Sequence, residues 1–78
     1  MFYERSRRVE RRLRELIGLL RAGGSSTPTL AERLGVSVPT VSRCLAALRE
    51  RGYTIRPVRR PHQWVYELVS EPAAVPQG

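Results

Sequence analysis

A chain of 78 residues, 41% of them hydrophobic, is long enough for one domain around one small core. Its 14 basic residues, all Arg, stand against 7 acidic ones, all Glu; a formal charge of +7 favours a polyanionic partner. The single Cys excludes an internal disulfide framework, no run of ~18 apolar residues offers a membrane span, and the charged start MFYERSRRVERR does not read as a secretion leader.

In chain order, the first element is an amphipathic helix over residues 9–22. Val9, Leu13, Leu16, Ile17 and Leu20 recur at the spacing of one apolar face. Gly23-Gly24 stops it. Residues 1–8 form a basic extension, read as more of that helix and part of a dimer interface, as a basic arm, or as a disordered lead. A stripe of Phe2, Val9, Leu13, Leu16 and Leu20 with a heptad-like period supports the first option. The helix arginines, Arg7, Arg8, Arg11, Arg12 and Arg14, are expected to face solvent. Glu4, Glu10 and Glu15 offer them intrahelical pairings. Arg7, Arg8 and Arg11 are also candidates for reaching a nucleic-acid backbone.

Ser25-Ser26 is read as a short strand or a turn. Thr27 is the expected N-cap of a second helix, with Pro28 at its first position, where the missing N–H costs nothing. Leu30, Ala31 and Leu34 give that helix a compact apolar side, and Gly35 ends it. A third helix restarts at once. Ser37 is its expected N-cap, and it runs from Val38 to Arg51 with Val41, Leu45 and Leu48 as its buried stripe. Gly52 closes it, since glycine tolerates the left-handed backbone there. Cys44 is expected to be a small, partly buried apolar residue.

Thr54 to Val58 and Gln63 to Val69 are rich in Ile, Val, Tyr and Trp and read as two strands. Arg59-Arg60-Pro61-His62 is the hairpin tip between them. Pro57 marks the first strand as an edge or as bulged. Trp64, Tyr66 and Leu68 alternate onto one face and are expected to pack in the core. The residues EPAAVPQG, with two prolines and no periodicity, read as a frayed tail. The fold class is mainly α with a small β-hairpin (α+β): three helices plus a two- or three-stranded sheet. Residues 9–69 are its domain, residues 70–78 a flexible tail.

A helix, a corner of Gly35-Val36-Ser37 and a second helix make a helix-turn-helix unit. Gly permits the tight exit, Val36 plugs the angle and Ser37 caps the second helix. The opening of that helix then points away from the core, with Ser37, Val38, Pro39, Thr40, Ser42 and Arg43 off the buried stripe. Short hydroxyl side chains allow close approach to phosphates and bases, and Arg suits phosphate or a guanine edge. Thr40 is alternatively part of the local cap. Arg56, Arg59, Arg60 and His62 are the corresponding candidates on the hairpin, the alternative being a charged edge that blocks strand pairing.

LAERLGVS followed by TVSRCLAALRERGYTI and a strand ending VYEL resembles the winged helix-turn-helix of bacterial regulators. It is similar to the N-terminal domains of biotin-operon repressors, deoxyribose-operon-type repressors and WYL-domain regulators. The resemblance covers roughly residues 10 to 69. It implies a recognition helix over residues 38–51, a wing over the hairpin, and transcription control. The sequence departs from the pattern in an Arg-rich rather than Gly-rich wing tip. The effector or oligomerisation domain that usually follows is absent, so the chain is read as a stand-alone reader, a fragment or a subunit.

The expected function is therefore sequence-specific binding of double-stranded DNA as a homodimer in a bacterial cytoplasm, associated with the nucleoid. The alternatives are a protein-interaction winged helix within a larger complex and a non-specific nucleoid or RNA binder. An enzyme is not expected: the chain shows no acid–base pair and no phosphate loop. One His, one Cys and no Asp leave too few ligands for a metal site, and no cofactor is implied.

Overall fold

The structure, a computed structural model, describes residues 2–72, with side chains from Arg7 onward. Helix α1 spans Phe2–Ala22, β1 Ser25–Ser26, α2 Thr27–Leu34, α3 Val38–Glu50, β2 Thr54–Arg60 and β3 Gln63–Ser70. The strands form one antiparallel sheet in the order β1-β3-β2. This is the α+β layout that the sequence pattern predicts.

Helix α1 extends back to Phe2, so residues 2–8 continue the helix, as the first reading of the extension has it. The apolar period marks what the helix buries, not where it begins. Arg and Glu are good helix formers and no Gly or Pro interrupts the first turns. Gly23 then ends α1, donating its N–H to the carbonyls of Leu19 and Leu20. The Phe2 side chain lies outside the described residues. Val9 is 42% exposed, so it stands beyond the core rather than in its stripe.

The core is one cluster. Leu13, Leu16, Ile17 and Leu20 of α1 meet Leu30 and Ala31 of α2, Val41, Cys44, Leu45 and Leu48 of α3, and Ile55 of β2. Each fully buried Leu contributes about 1.5–3 kcal/mol relative to an exposed one. Tyr66 and Leu68 of β3 pack against this cluster from the sheet, as their alternation predicts. Trp64 does not: it is 56% exposed. It shares their strand face, but at this level of β3 the covered residue is its neighbour Val65 on the other face, 2% exposed, paired with Ser26 and Val58.

The cap of α2 is Ser26, one residue before the expected Thr27. Its hydroxyl oxygen accepts from the Thr29 N–H at 3.3 Å, and its O–H donates to Thr29 Oγ1 at 3.0 Å. Ser26 is buried and also pairs with Val65 in the sheet, so one residue closes β1 and opens α2. Pro28 accordingly lies one position further in, still within the first turn.

Strand β2 reaches Arg60, so Arg59 and Arg60 belong to the ladder, opposite Trp64 and Gln63. Only Pro61 and His62 form the turn, which is shorter than the expected four-residue tip. Strand pairing is carried by backbone hydrogen bonds and does not need apolar side chains to continue. Strand β2 is an edge, which explains how Pro57 is tolerated, and the register irregularity lies at Thr54/Ile55 instead.

Two charged contacts depart from expectation. Glu10 does not pair within α1: Arg51, at the end of α3, holds both its carboxylate oxygens, at 3.0 and 2.5 Å. Glu71, read as part of a frayed tail, is gripped by Arg21 at 3.0 and 2.6 Å. Residues 73–78 of that tail lie outside the described residues.

Candidate nucleic-acid interface

The corner between α2 and α3 is built from three residues with separate tasks. Gly35 takes the left-handed backbone, φ 69° and ψ 35°. That conformation lets the Gly35 N–H reach the Glu32 carbonyl at 3.2 Å and the Val36 N–H reach the Ala31 carbonyl at 3.0 Å, satisfying the end of α2. Val36 packs half-buried against the core between the helices. Ser37, extended at φ −78° and ψ 159°, accepts the Thr40 N–H at 3.3 Å. Its oxygen also lies 2.9 Å from Thr40 Oγ1. Thr40 is thus committed to the cap and only partly exposed, the second of its two expected roles.

The same cap sets the face of α3 that solvent sees. Val41, Cys44, Leu45 and Leu48 are buried, three and four residues apart. Ser37, Val38, Pro39, Ser42 and Arg43 are exposed, with Val38 at 42%. The first turn of α3 presents an N-terminus whose partial positive charge and free N–H groups suit an anion. Cys44, expected to be partly buried, is 8% exposed and forms part of the core.

The candidate residues of the hairpin separate into two sets. Arg59, Arg60 and His62 gather at its end, where they line a small hollow of about 270 Å³ with Pro61, Gln63 and Trp64. The Arg59 guanidinium lies over the Trp64 ring, 5.9 Å from its centre. Arg56 is set apart: it donates to Glu67 Oε1, its cross-strand partner, at 3.0 Å. Its charge is partly answered inside the sheet. The turn contains no residue with positive φ, so the Arg-Pro-His sequence adopts a turn that needs no glycine.

Two features escape a residue-by-residue reading. Trp64 is one, exposed where alternation alone suggests core. The other is a cleft between α1 and α3, lined by Arg8 and Arg12 on one side and Arg43 on the other. Arg8 and Arg12 stand one turn apart, a visible signal, but the approach of Arg43 is set by helix packing.

A family model described as HTH domain matches residues 12–62, from the middle of α1 to the hairpin turn. The chain belongs to the HTH domain family. It is a winged helix-turn-helix DNA-binding domain, with α2 and α3 as the unit and β2–β3 as the wing. No curated protein and no solved structure matches it significantly. Among the described residues no group of three or more His, Cys or Glu side chains could hold a metal ion, and no helix is long and apolar enough to cross a membrane.

Proposed function

We propose that this winged helix-turn-helix protein binds double-stranded DNA sequence-specifically and regulates transcription in a bacterial cytoplasm, without catalysis. In this reading α3 lies in the major groove. Ser37, Val38, Pro39 and Ser42 approach base edges and phosphates, Thr40 holds the cap, and Arg43 meets the groove edge. Arg59, Arg60 and His62 of the wing take the flanking backbone or minor groove, with Arg56 in a lesser part because Glu67 engages it. The observation that carries the reading is the outward first turn of α3: Ser37, Val38, Pro39, Ser42 and Arg43 are all exposed above a fully buried Val41, Leu45 and Leu48.

One such module spans few base pairs, so a homodimer on two half-sites is the expected working form. Selection of bound sites from random duplexes tests the whole reading. The expected result is a consensus with paired half-sites, bound with an affinity that falls steeply with salt. Recovery of no consensus, with equal affinity for scrambled duplexes, would reduce the protein to a non-specific binder.

A further inference from the structure

The cleft between the N-terminal half of α1 and the flank of α3 has a volume of about 480 Å³. Its lining joins the buried Leu13 and Cys44 and the more open Val9 and Ala47 into a mainly apolar floor, with Thr40 beside them. Its rim carries three guanidinium groups, from Arg8 and Arg12 on α1 and Arg43 on α3. The ion pairs found among the described residues engage Arg21, Arg51 and Arg56, and none involves this trio. Like charges gathered in one concavity repel, so the arrangement favours an anionic occupant.

The floor narrows the choice. A bare hydrated anion gains nothing from Val9 or Ala47. A second copy of the chain carries +7 and would bring more positive charge to a positive rim. A nucleic-acid strand supplies what both parts of the cleft need, since charged phosphates alternate with the apolar faces of its sugars. The cleft also adjoins the recognition helix, because Arg43 lies one position after Ser42 on α3. The basic ridge continues along α1, where Arg8, Arg11 and Arg12 border a neighbouring hollow.

We propose that the α1–α3 cleft seats one strand of the DNA backbone beside the major groove, with Arg8, Arg12 and Arg43 on phosphates and sugars against Val9 and Ala47. The proposal rests on the DNA-binding reading above. It makes Arg43 a backbone anchor rather than a base reader and gives α1 a part in fixing the register of α3. Such contacts position the protein without carrying sequence information.

The test uses Arg8→Gln, Arg12→Gln and Arg43→Gln in the full chain. Arg14→Gln serves as control, because Arg14 is an exposed α1 arginine that does not line the cleft. Each is titrated with a selected duplex and a scrambled one across a salt series. Each cleft variant is expected to weaken both duplexes by the same factor and to lower the salt slope by about one. Arg14→Gln should leave the slope unchanged, and thermal melts should show all four variants folded. Cleft variants indistinguishable from Arg14→Gln, while the wild type binds duplex, overturn the cleft alone. A loss confined to the selected duplex with Arg43→Gln overturns the anchor role. Stronger self-association of the cleft variants with duplex binding intact would hand the cleft to a second copy. A wild type that ignores duplex DNA removes the underlying reading and the cleft with it.

Discussion

Arg59 and Trp64 face each other across the β2–β3 ladder, and the guanidinium stands 5.9 Å from the centre of the indole ring. The pair stands on the exposed face of the hairpin, next to the buried Val65. A cation over an exposed ring contributes about 0.5–1 kcal/mol. That is small for the whole domain, yet it is local to the wing and orders two exposed side chains there.

Trp64 is the only tryptophan, so fluorescence excited selectively at the indole reports on the wing alone. The free protein is expected to emit as an indole in water, in keeping with its 56% exposure. Duplex DNA should quench or shift that emission if the wing lies on the groove. Trp64→Ala should lower unfolding free energy by no more than about 1 kcal/mol. A loss of ~3–5 kcal/mol, typical of a buried aromatic, would mean that the ring is in a core after all.

Glu10 and Glu71 make the stability of the fold depend on acid pH. The hydrogen bonds from Arg51 hold the Glu10 carboxyl below the usual carboxylate range, and those from Arg21 do the same for Glu71. A carboxylate with a depressed folded-state pKa stabilises fully above its unfolded value, about 4.3 for Glu. That contribution is lost as pH falls from there through the folded value. Both pairs are exposed, so the effect is modest and screened by salt. The wild-type Tm should therefore fall between neutral pH and pH ~3 by more than that of Glu10→Gln. Equal falls at low ionic strength would show that the Glu10–Arg51 bridge does not contribute in solution.

These contacts also mark where sequence reading reaches its limit. The α2–α3 corner was legible because its signals are local: Gly35 for the left-handed exit, Ser37 for the cap, Val41, Leu45 and Leu48 for the buried side. The start of α1 was legible only as one of several readings, because Arg-rich turns carry helix propensity without apolar period. The Ser26 cap was displaced by one residue because Ser26 and Thr27 are both good capping types, and only the pairing of Ser26 with Val65 decides between them. Trp64 is exposed while its neighbour Val65 is buried, because alternation along a strand does not say which of two adjacent apolar residues is covered. The partners of Glu10 and Glu71, and the placing of Arg43 across the cleft from Arg8 and Arg12, are products of tertiary packing between segments far apart in sequence.

The corner and the core should answer differently to substitution. A Cβ at Gly35 would meet nothing within 4 Å, so Gly35→Ala isolates the backbone cost of φ +69°. That cost is roughly 1–2 kcal/mol. Gly35→Asn should recover part of it, since Asn adopts this conformation more readily. Leu45→Ala removes a side chain only 1% exposed and should cost ~2–5 kcal/mol. Denaturant unfolding measures all three. A neutral Gly35→Ala would contradict the left-handed exit from α2.

Ser37 ties folding to binding, and two substitutions pull these roles apart. Ser37→Ala removes the acceptor of the Thr40 N–H and the partner of Thr40 Oγ1. It should lower stability by ~1 kcal/mol and weaken DNA binding by loosening the first turn of α3. Ser37→Asp keeps a cap acceptor and places negative charge at the positive end of the helix, so stability should return to the wild-type level. That same charge would face phosphates if α3 enters the groove, and DNA affinity should fall below that of Ser37→Ala. Thermal melts and duplex titrations on the two variants give the comparison. If Ser37→Asp restores stability and binds DNA as well as the wild type, the N-terminus of α3 does not approach the phosphate backbone.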